Sequence, residues 1–230
     1  MDRVPHASVT DDILLPGGRD VRGRLDRVDD DSTAPDACVV ACPPHPQHRG
    51  HRGDERLRAV ADGLTARGLD CLRFDYGDWD EGYGERADVR HAVDWARERY
   101  DRVGLFGFSF GGTLSLLVAS ETHEPGRRAD TGESADTAWP VDAVSALAPT
   151  ARIDATLDAA AALPAINCPT QVVYGTRDDT ADWEPVVAAA EDADATTVEL
   201  AADHFFVGQA DIVADHVAGW LPDAIDRVGP

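Results

Sequence analysis

The sequence predicts an α/β fold, a mostly parallel twisted sheet with helices on both faces and an antiparallel hairpin at its N-terminal edge. Short apolar runs alternate with longer segments whose apolar residues recur at helical spacing, the signature of strand–helix–strand units. Size agrees, because 230 residues suit one α/β domain. A chain of that length buries about 70–75% of its unfolded surface.

The elements follow in order. Val9 to Val28 carries a turn at Pro16-Gly17-Gly18 and predicts the edge hairpin. Ala37 to Ala41 is a short buried strand, closed by the Pro43-Pro44-His45-Pro46 turn. Asp54 to Arg67 places Leu57, Val60, Ala61 and Leu64 on one helical face. Leu69 to Phe74 is the next strand, and a Gly- and Asp-rich loop leads to a helix from Ala87 to Tyr100. Arg102 to Gly107 is a strand running into Phe108-Ser109-Phe110-Gly111-Gly112, and Thr113 to Ser120 is apolar enough for a buried helix. In the second half, strands are expected at Val141–Ala148, Gln171–Gly175 and Thr196–Leu200. Helices are expected at Ile153–Ala162, Trp183–Ala190 and Phe206–Leu221. The stretch from Glu124 to Pro140 (residues 124–140) is polar and nearly free of aliphatic side chains, which predicts a surface insertion within a single domain spanning residues 1–230.

Charge narrows the function classes. There are 43 acidic against 21 basic residues, a net charge of −22, and every basic residue is Arg. Such an excess adds self-repulsion that is tolerated where salt screens it. The composition therefore predicts a salt-rich cytoplasm of the haloarchaeal kind. DNA, other nucleic acids and anionic membranes are poor partners, since phosphate neutralisation needs basic patches. Mean hydropathy is −0.31, and no window nears the roughly 18–20 apolar residues of a spanning helix. The segment from Met1 to His6 has no apolar core, so no secretory signal is expected. Cys38, Cys42, Cys71 and Cys168 lack paired spacing and read as reduced core thiols.

The chemistry gathers around Gly107-Phe108-Ser109-Phe110-Gly111, a G-x-S-x-G run between a predicted strand and a predicted helix. A sharp turn there holds Ser109 over the start of the following helix, whose free N–H groups and partial positive charge suit a developing oxyanion. A serine hydroxyl needs a base, and the base an acid. His204, in the loop after the last strand, is the candidate base; of the other histidines beyond Ser109, His216 is mid-helix and His123 borders the polar insertion. The acid is Asp178 or Asp179, after the strand ending at Gly175; one can face the imidazole while the other caps the next helix. His45, His48 and His51 recur every three residues, and Asp75, Asp78, Asp80 and Glu81 cluster in one loop. The three-proline loop offers no helical face for a metal, and the acids lack the spacing of a calcium loop.

With these residues in view, the chain resembles the α/β-hydrolases, in particular small cap-less dienelactone-hydrolase-like proteins. His45-Pro46 resembles their HPHP loop, Leu72 to Gly77 their RFNFRG-type strand and loop, and Ala202-Asp203-His204-Phe205-Phe206 their GADHFF loop. The resemblance spans roughly residues 37–221 and implies an α/β-hydrolase fold with a Ser109–His204–Asp178 triad, Asp178 lying three residues beyond Gly175. It departs at Cys42-Pro43-Pro44 and at Ala201, where Gly is usual. One oxyanion donor should be the Phe110 amide. The prolines of the other loop have no N–H to give, which leaves His45 or Gln47. The expected reaction is acyl transfer on a small-molecule ester or thioester, requiring no cofactor and no metal. A peptidase or acyltransferase using the same triad, or a non-catalytic binding protein on the same fold, are the rival readings.

Overall fold

The computed structural model describes residues 9–28, 35–121 and 141–227. Eight strands form one sheet: β1 (Val9–Leu14), β2 (Arg22–Arg27), β3 (Ala37–Cys42), β4 (Asp70–Asp75), β5 (Arg102–Phe108), β6 (Ala143–Leu147), β7 (Thr170–Gly175) and β8 (Thr196–Leu200). Their order is β1-β2-β4-β3-β5-β6-β7-β8, with the β1–β2 and β2–β4 pairs antiparallel and all other pairs parallel. This is the α/β-hydrolase fold with its N-terminal hairpin at one edge.

The helices are α1 (Glu55–Thr65), α2 (Tyr83–Arg97), α3 (Phe110–Glu121), α4 (Ala159–Ala162), α5 (Glu184–Asp192) and α6 (Ala210–Asp226). They divide between two cores. Cys38, Val40 and Cys42 of β3 face Val89 of α2, Leu114 of α3 and Val186 of α5. Ala37, Val39 and Ala41, pointing the other way, face Leu57 of α1 and Val217 of α6. A strand buried on both faces has no polar alternation, which is why the apolar runs were short and continuous. All four cysteines are free and buried, and burial pushes the Cys42 and Cys168 thiols up to about 12.

Three helices depart from expectation most at their ends. Helix α2 begins at Tyr83, not Ala87, because the fully buried Glu85 carboxylate reaches back to the N–H groups of Gly82 (2.8 Å) and Asp80 (2.9 Å). That one-sided cap, Gly82 having no side chain to return it, turns part of an expected loop into the first helical turn. The segment expected as a helix over Ile153–Ala162 is helical only from Ala159. Asp154 collects the N–H groups of Thr156 and Leu157, and Asp158 caps Ala161 N, so the preceding residues satisfy their donors without a helix. Helix α6 starts at Ala210 rather than Phe206, whose φ is +49°, and continues through Pro222 to Asp226. Proline forfeits one helical hydrogen bond there, but the turn beyond it buries Ala224 and Ile225. Ile225 Cδ1 packs against Gly104 of β5, only 2.8 Å from where a Cβ there would stand, so the glycine leaves room for it.

The hairpin is fastened to the sheet by charge. Arg73 of β4 donates from Nε and Nη2 to Asp26 of β2 at 2.6 and 2.9 Å, both side chains buried. Its Nη1 donates to the Arg52 carbonyl at 2.6 Å, holding the loop between β3 and α1. The polar stretch 124–140 lies outside the described residues. No helix among the described residues is long and apolar enough to cross a membrane.

Candidate active site

Strand β5 ends in a turn that forces Ser109 to φ +55°, a left-handed conformation costly for a residue with a Cβ. Two glycines let the turn close. A Cβ on Gly107 would sit 2.2 Å from the Gly111 carbonyl oxygen, and one on Gly111 would sit 2.3 Å from that of Cys42 and 2.4 Å from that of Pro43. The loop after β3 therefore rests directly on the first turn of α3, and only glycine fits between them.

Three loops at the carboxyl edge of the sheet bring the candidate triad together. Ser109 Oγ lies 2.9 Å from His204 Nε2, and His204 Nδ1 lies 2.7 Å from Asp178 Oδ2. With Nδ1–H donated to the carboxylate, Nε2 is left to accept the serine proton. Asp178 and His204 are buried, while Ser109 is partly open to solvent. The imidazole is framed by the rings of Phe108 (5.5 Å) and Phe205 (5.3 Å).

Asp178 faces the imidazole and also holds the turn that follows it, whereas the expected helix cap is absent: α5 starts only at Glu184, with Trp183 at its N-cap and no side-chain cap. Asp178 Oδ1 accepts from the N–H groups of Thr180 (2.9 Å) and Ala181 (3.0 Å) while Oδ2 faces His204. Asp179 is exposed, touching the Thr180 hydroxyl at 3.5 Å. Trp183 adds a further hold, its Nε1 donating to the Asp178 carbonyl at 3.1 Å while its ring stacks on Tyr174.

Of the oxyanion candidates, Phe110 opens α3 and His45 lies beside it, ring centroids 4.9 Å apart. Among the described residues neither backbone N–H has an acceptor. Gln47, the other candidate, turns its N–H onto His45 Nδ1 at 3.3 Å. Burial, reinforced by the neighbouring His48, pushes the His45 pKa down, so its ring is uncharged at neutral pH. His51 Nδ1 accepts from Gly53 N, and Asp75 pairs with Arg52, so His51 and Asp75 from the two clusters weighed for metal serve their own loops. Among the described residues there is no group of three or more His, Cys, Asp or Glu side chains able to hold a metal ion.

Sequence reasoning missed the residues that hold this edge from a distance. Arg56 of α1 lies over the Phe108 ring and donates to the Phe205 carbonyl at 2.7 Å, steadying the His204 loop. Tyr76 donates to the Pro43 carbonyl at 3.1 Å, steadying the loop that carries His45. Nothing near Arg56 in the sequence signals its partner; Tyr76 lies within the quoted Leu72–Gly77 motif, but its phenol partner is 33 residues away.

The family model of X-Pro dipeptidyl-peptidases (S15 family) matches residues 74–129, well under half of the chain but including the Ser109 turn. No curated protein matches the chain. Among solved structures, an α/β serine hydrolase homologue from Coxiella burnetii is 22% identical with a TM-score of 0.71, over 95% of this chain and 99% of that one. A lidless α/β serine hydrolase from Xanthomonas campestris is 20% identical with a TM-score of 0.70, over 100% and 99%. An esterase from Pyrococcus furiosus is 16% identical with a TM-score of 0.74, over 95% and 94%. At these identities the likeness is one of fold.

Proposed function

We propose that the chain is a serine hydrolase that cleaves a small carboxylic ester or thioester through an acyl-enzyme. The observation that carries this reading is the unbroken hydrogen-bonded chain from Ser109 Oγ through His204 to Asp178. His204 Nε2 takes the Ser109 proton as Oγ bonds to the substrate carbonyl carbon. The carbonyl oxygen, now anionic, is met by the Phe110 N–H and by the His45 N–H, since that of Gln47 is already engaged. The tetrahedral intermediate collapses, expelling the alcohol or thiol, which receives the proton from His204. Water, deprotonated by the same nitrogen, then adds to the acyl-enzyme, and the acid leaves as Ser109 regains its proton. No step calls on a cofactor.

The dienelactone-hydrolase-like motifs support a small lidless enzyme, and between β6 and β7 the chain builds only α4 and a 3-10 turn at Leu163–Ala165. They do not transfer the substrate, because those enzymes usually carry a Cys nucleophile where this chain has Ser109. The acidic composition supports a salt-rich cytoplasm as the setting. A peptidase is the second reading, favoured by the S15 match across the Ser109 segment.

A labelled fluorophosphonate in molar KCl tests the reading. The expected result is covalent labelling that disappears in Ser109→Ala; a folded wild-type chain that takes up no label would instead be a binding protein. The oxyanion assignment has its own test in Gly111→Ala. The new Cβ would press on the Cys42 and Pro43 carbonyls and lever the His45 loop off α3. A loss of about 10²–10³-fold in kcat is expected, the usual cost of one oxyanion donor. Turnover of p-nitrophenyl acetate, with a thermal melt to verify folding, checks it, and unchanged kcat would remove His45 from the hole.

A further inference from the structure

The loop between β4 and α2 is held more firmly than a surface connection needs. Its backbone is clamped from one side by Arg19 of the edge hairpin and two carboxylates whose side chains are wholly buried. Arg19 Nε donates to Asp88 at 2.8 Å and its Nη2 to the Asp78 carbonyl at 2.5 Å. Asp88 in turn accepts from Gly77 N at 3.0 Å, and Glu85 from Asp80 N and Gly82 N. From the other side, the Tyr83 hydroxyl lies 2.6 Å from both Asp154 Oδ2 and Thr156 Oγ1, while Leu157 and Ile153 pack on Gly82. Trp79 sits in the middle of this clamped loop, between the Gly77 and Asp78 anchors and the Asp80 and Gly82 ones.

The Trp79 ring lies 4.5 Å from that of His45 and 5.8 Å from that of Phe110, the two residues whose amides were placed in the oxyanion hole. Trp79 is partly exposed, so part of its indole stays open beside these two residues rather than being sealed into the core. Its place along the sheet says which part of a substrate it meets. Strand β4 lies on one side of β5, and β8, which precedes His204, lies on the other. In the tetrahedral intermediate the leaving group must turn toward His204 to receive its proton. With the oxyanion on the Phe110 amide, the remaining direction belongs to the acyl group, and that direction leads toward β4.

We propose that Trp79, preorganised by Arg19, Glu85 and Asp88, is a specificity-determining residue that selects esters with a flat aromatic acyl group. The inference rests on the serine-hydrolase reading above. An aromatic acyl ring meets indole and imidazole faces in offset or tilted contact, an arrangement favourable beyond the area it buries. Because the loop is already clamped, little ordering cost opposes binding. Arg19, Glu85 and Asp88 touch no substrate and act as positioning residues.

The test holds the leaving group constant and varies the acyl group, comparing p-nitrophenyl benzoate with p-nitrophenyl acetate in molar KCl. Wild type is expected to prefer the benzoate in kcat/KM. Trp79→Ala should lower the benzoate-to-acetate ratio by about tenfold, mostly through KM, and Trp79→Phe should retain most of it. Arg19→Gln should lower the same ratio and Arg19→Lys should restore part of it, a pattern that general destabilisation would not produce. An enzyme that turns over both esters without preference, or a Trp79→Ala variant that leaves the ratio unchanged, overturns the inference and leaves the hydrolase reading standing. A sensitivity to Trp79 seen only when the alcohol is varied, as between methyl and naphthyl acetate, overturns it as well. A chain that turns over neither ester and takes no fluorophosphonate label overturns the reading beneath it.

Discussion

Asp178→Asn is expected to lower kcat by about 10⁴-fold, whereas Asp179→Asn should cost less than about tenfold. The difference lies in how the carboxylate is held. Thr180 N and Ala181 N both donate to Asp178 Oδ1, so an amide replacing the carboxylate must turn its oxygen toward them. Its NH₂ group then faces His204 Nδ1, which now has to accept. The imidazole proton moves to Nε2, and Nε2 can no longer take the proton of Ser109. The loss is one of tautomer rather than of packing, so the variant should melt close to wild type. Asp179 makes no comparable contact, only its 3.5 Å approach to the Thr180 hydroxyl. Steady-state kcat on an ester that wild type turns over, measured for both variants at one salt concentration, decides between them. The reverse ranking would move the acid one residue along.

Melting temperature should rise steadily as KCl goes from tens of millimolar to molar concentrations. Two electrostatic effects compete. Exposed pairs such as Arg22–Asp20 and Arg27–Asp11 weaken as salt screens them, but each contributes only about 0–1 kcal/mol. Against this, acidic residues exceed arginines by 22, a surplus that no rearrangement of pairs can neutralise. Its repulsion acts over about 10 Å at 0.1 M and only about 3 Å at 1 M. The buried pairs Arg73–Asp26 and Arg97–Asp142 are shielded from solvent and change little. Repulsion among the surplus therefore decides the sign. For a chain of this length about 3 kcal/mol of relieved repulsion appears as ~6–12 °C in Tm. Thermal melts across a KCl series measure it, guanidinium chloride being unsuitable because it is itself a salt. A flat or falling Tm would refute the salt-rich setting without touching the hydrolase reading.

The sequence by itself determined the α/β alternation, the elbow at Ser109 and the loops that hold His204 and Asp178. Each of these is written in neighbouring residues. Strands buried on both faces need short apolar runs, a strand-to-helix turn at φ +55° needs small flanking residues, and chain order places the acid and base at strand ends. Helix ends were less legible where a side chain overrode local pattern, as Glu85 does in starting α2 inside a glycine-rich loop and Pro222 does by failing to stop α6. The residues alone left Asp178 and Asp179 open and the family resemblance pointed to Asp178; tertiary structure alone decided that Asp178 also holds the Thr180–Ala181 turn, that the Gln47 amide is spent on His45, and that Arg56, Tyr76, Trp79 and Arg19 support the same edge. Arg56 meets Phe205 across 149 residues and Arg19 meets Asp88 across 69. Contacts at such separation leave no periodicity or turn chemistry in the chain, because they exist only once the sheet has brought its loops to one edge.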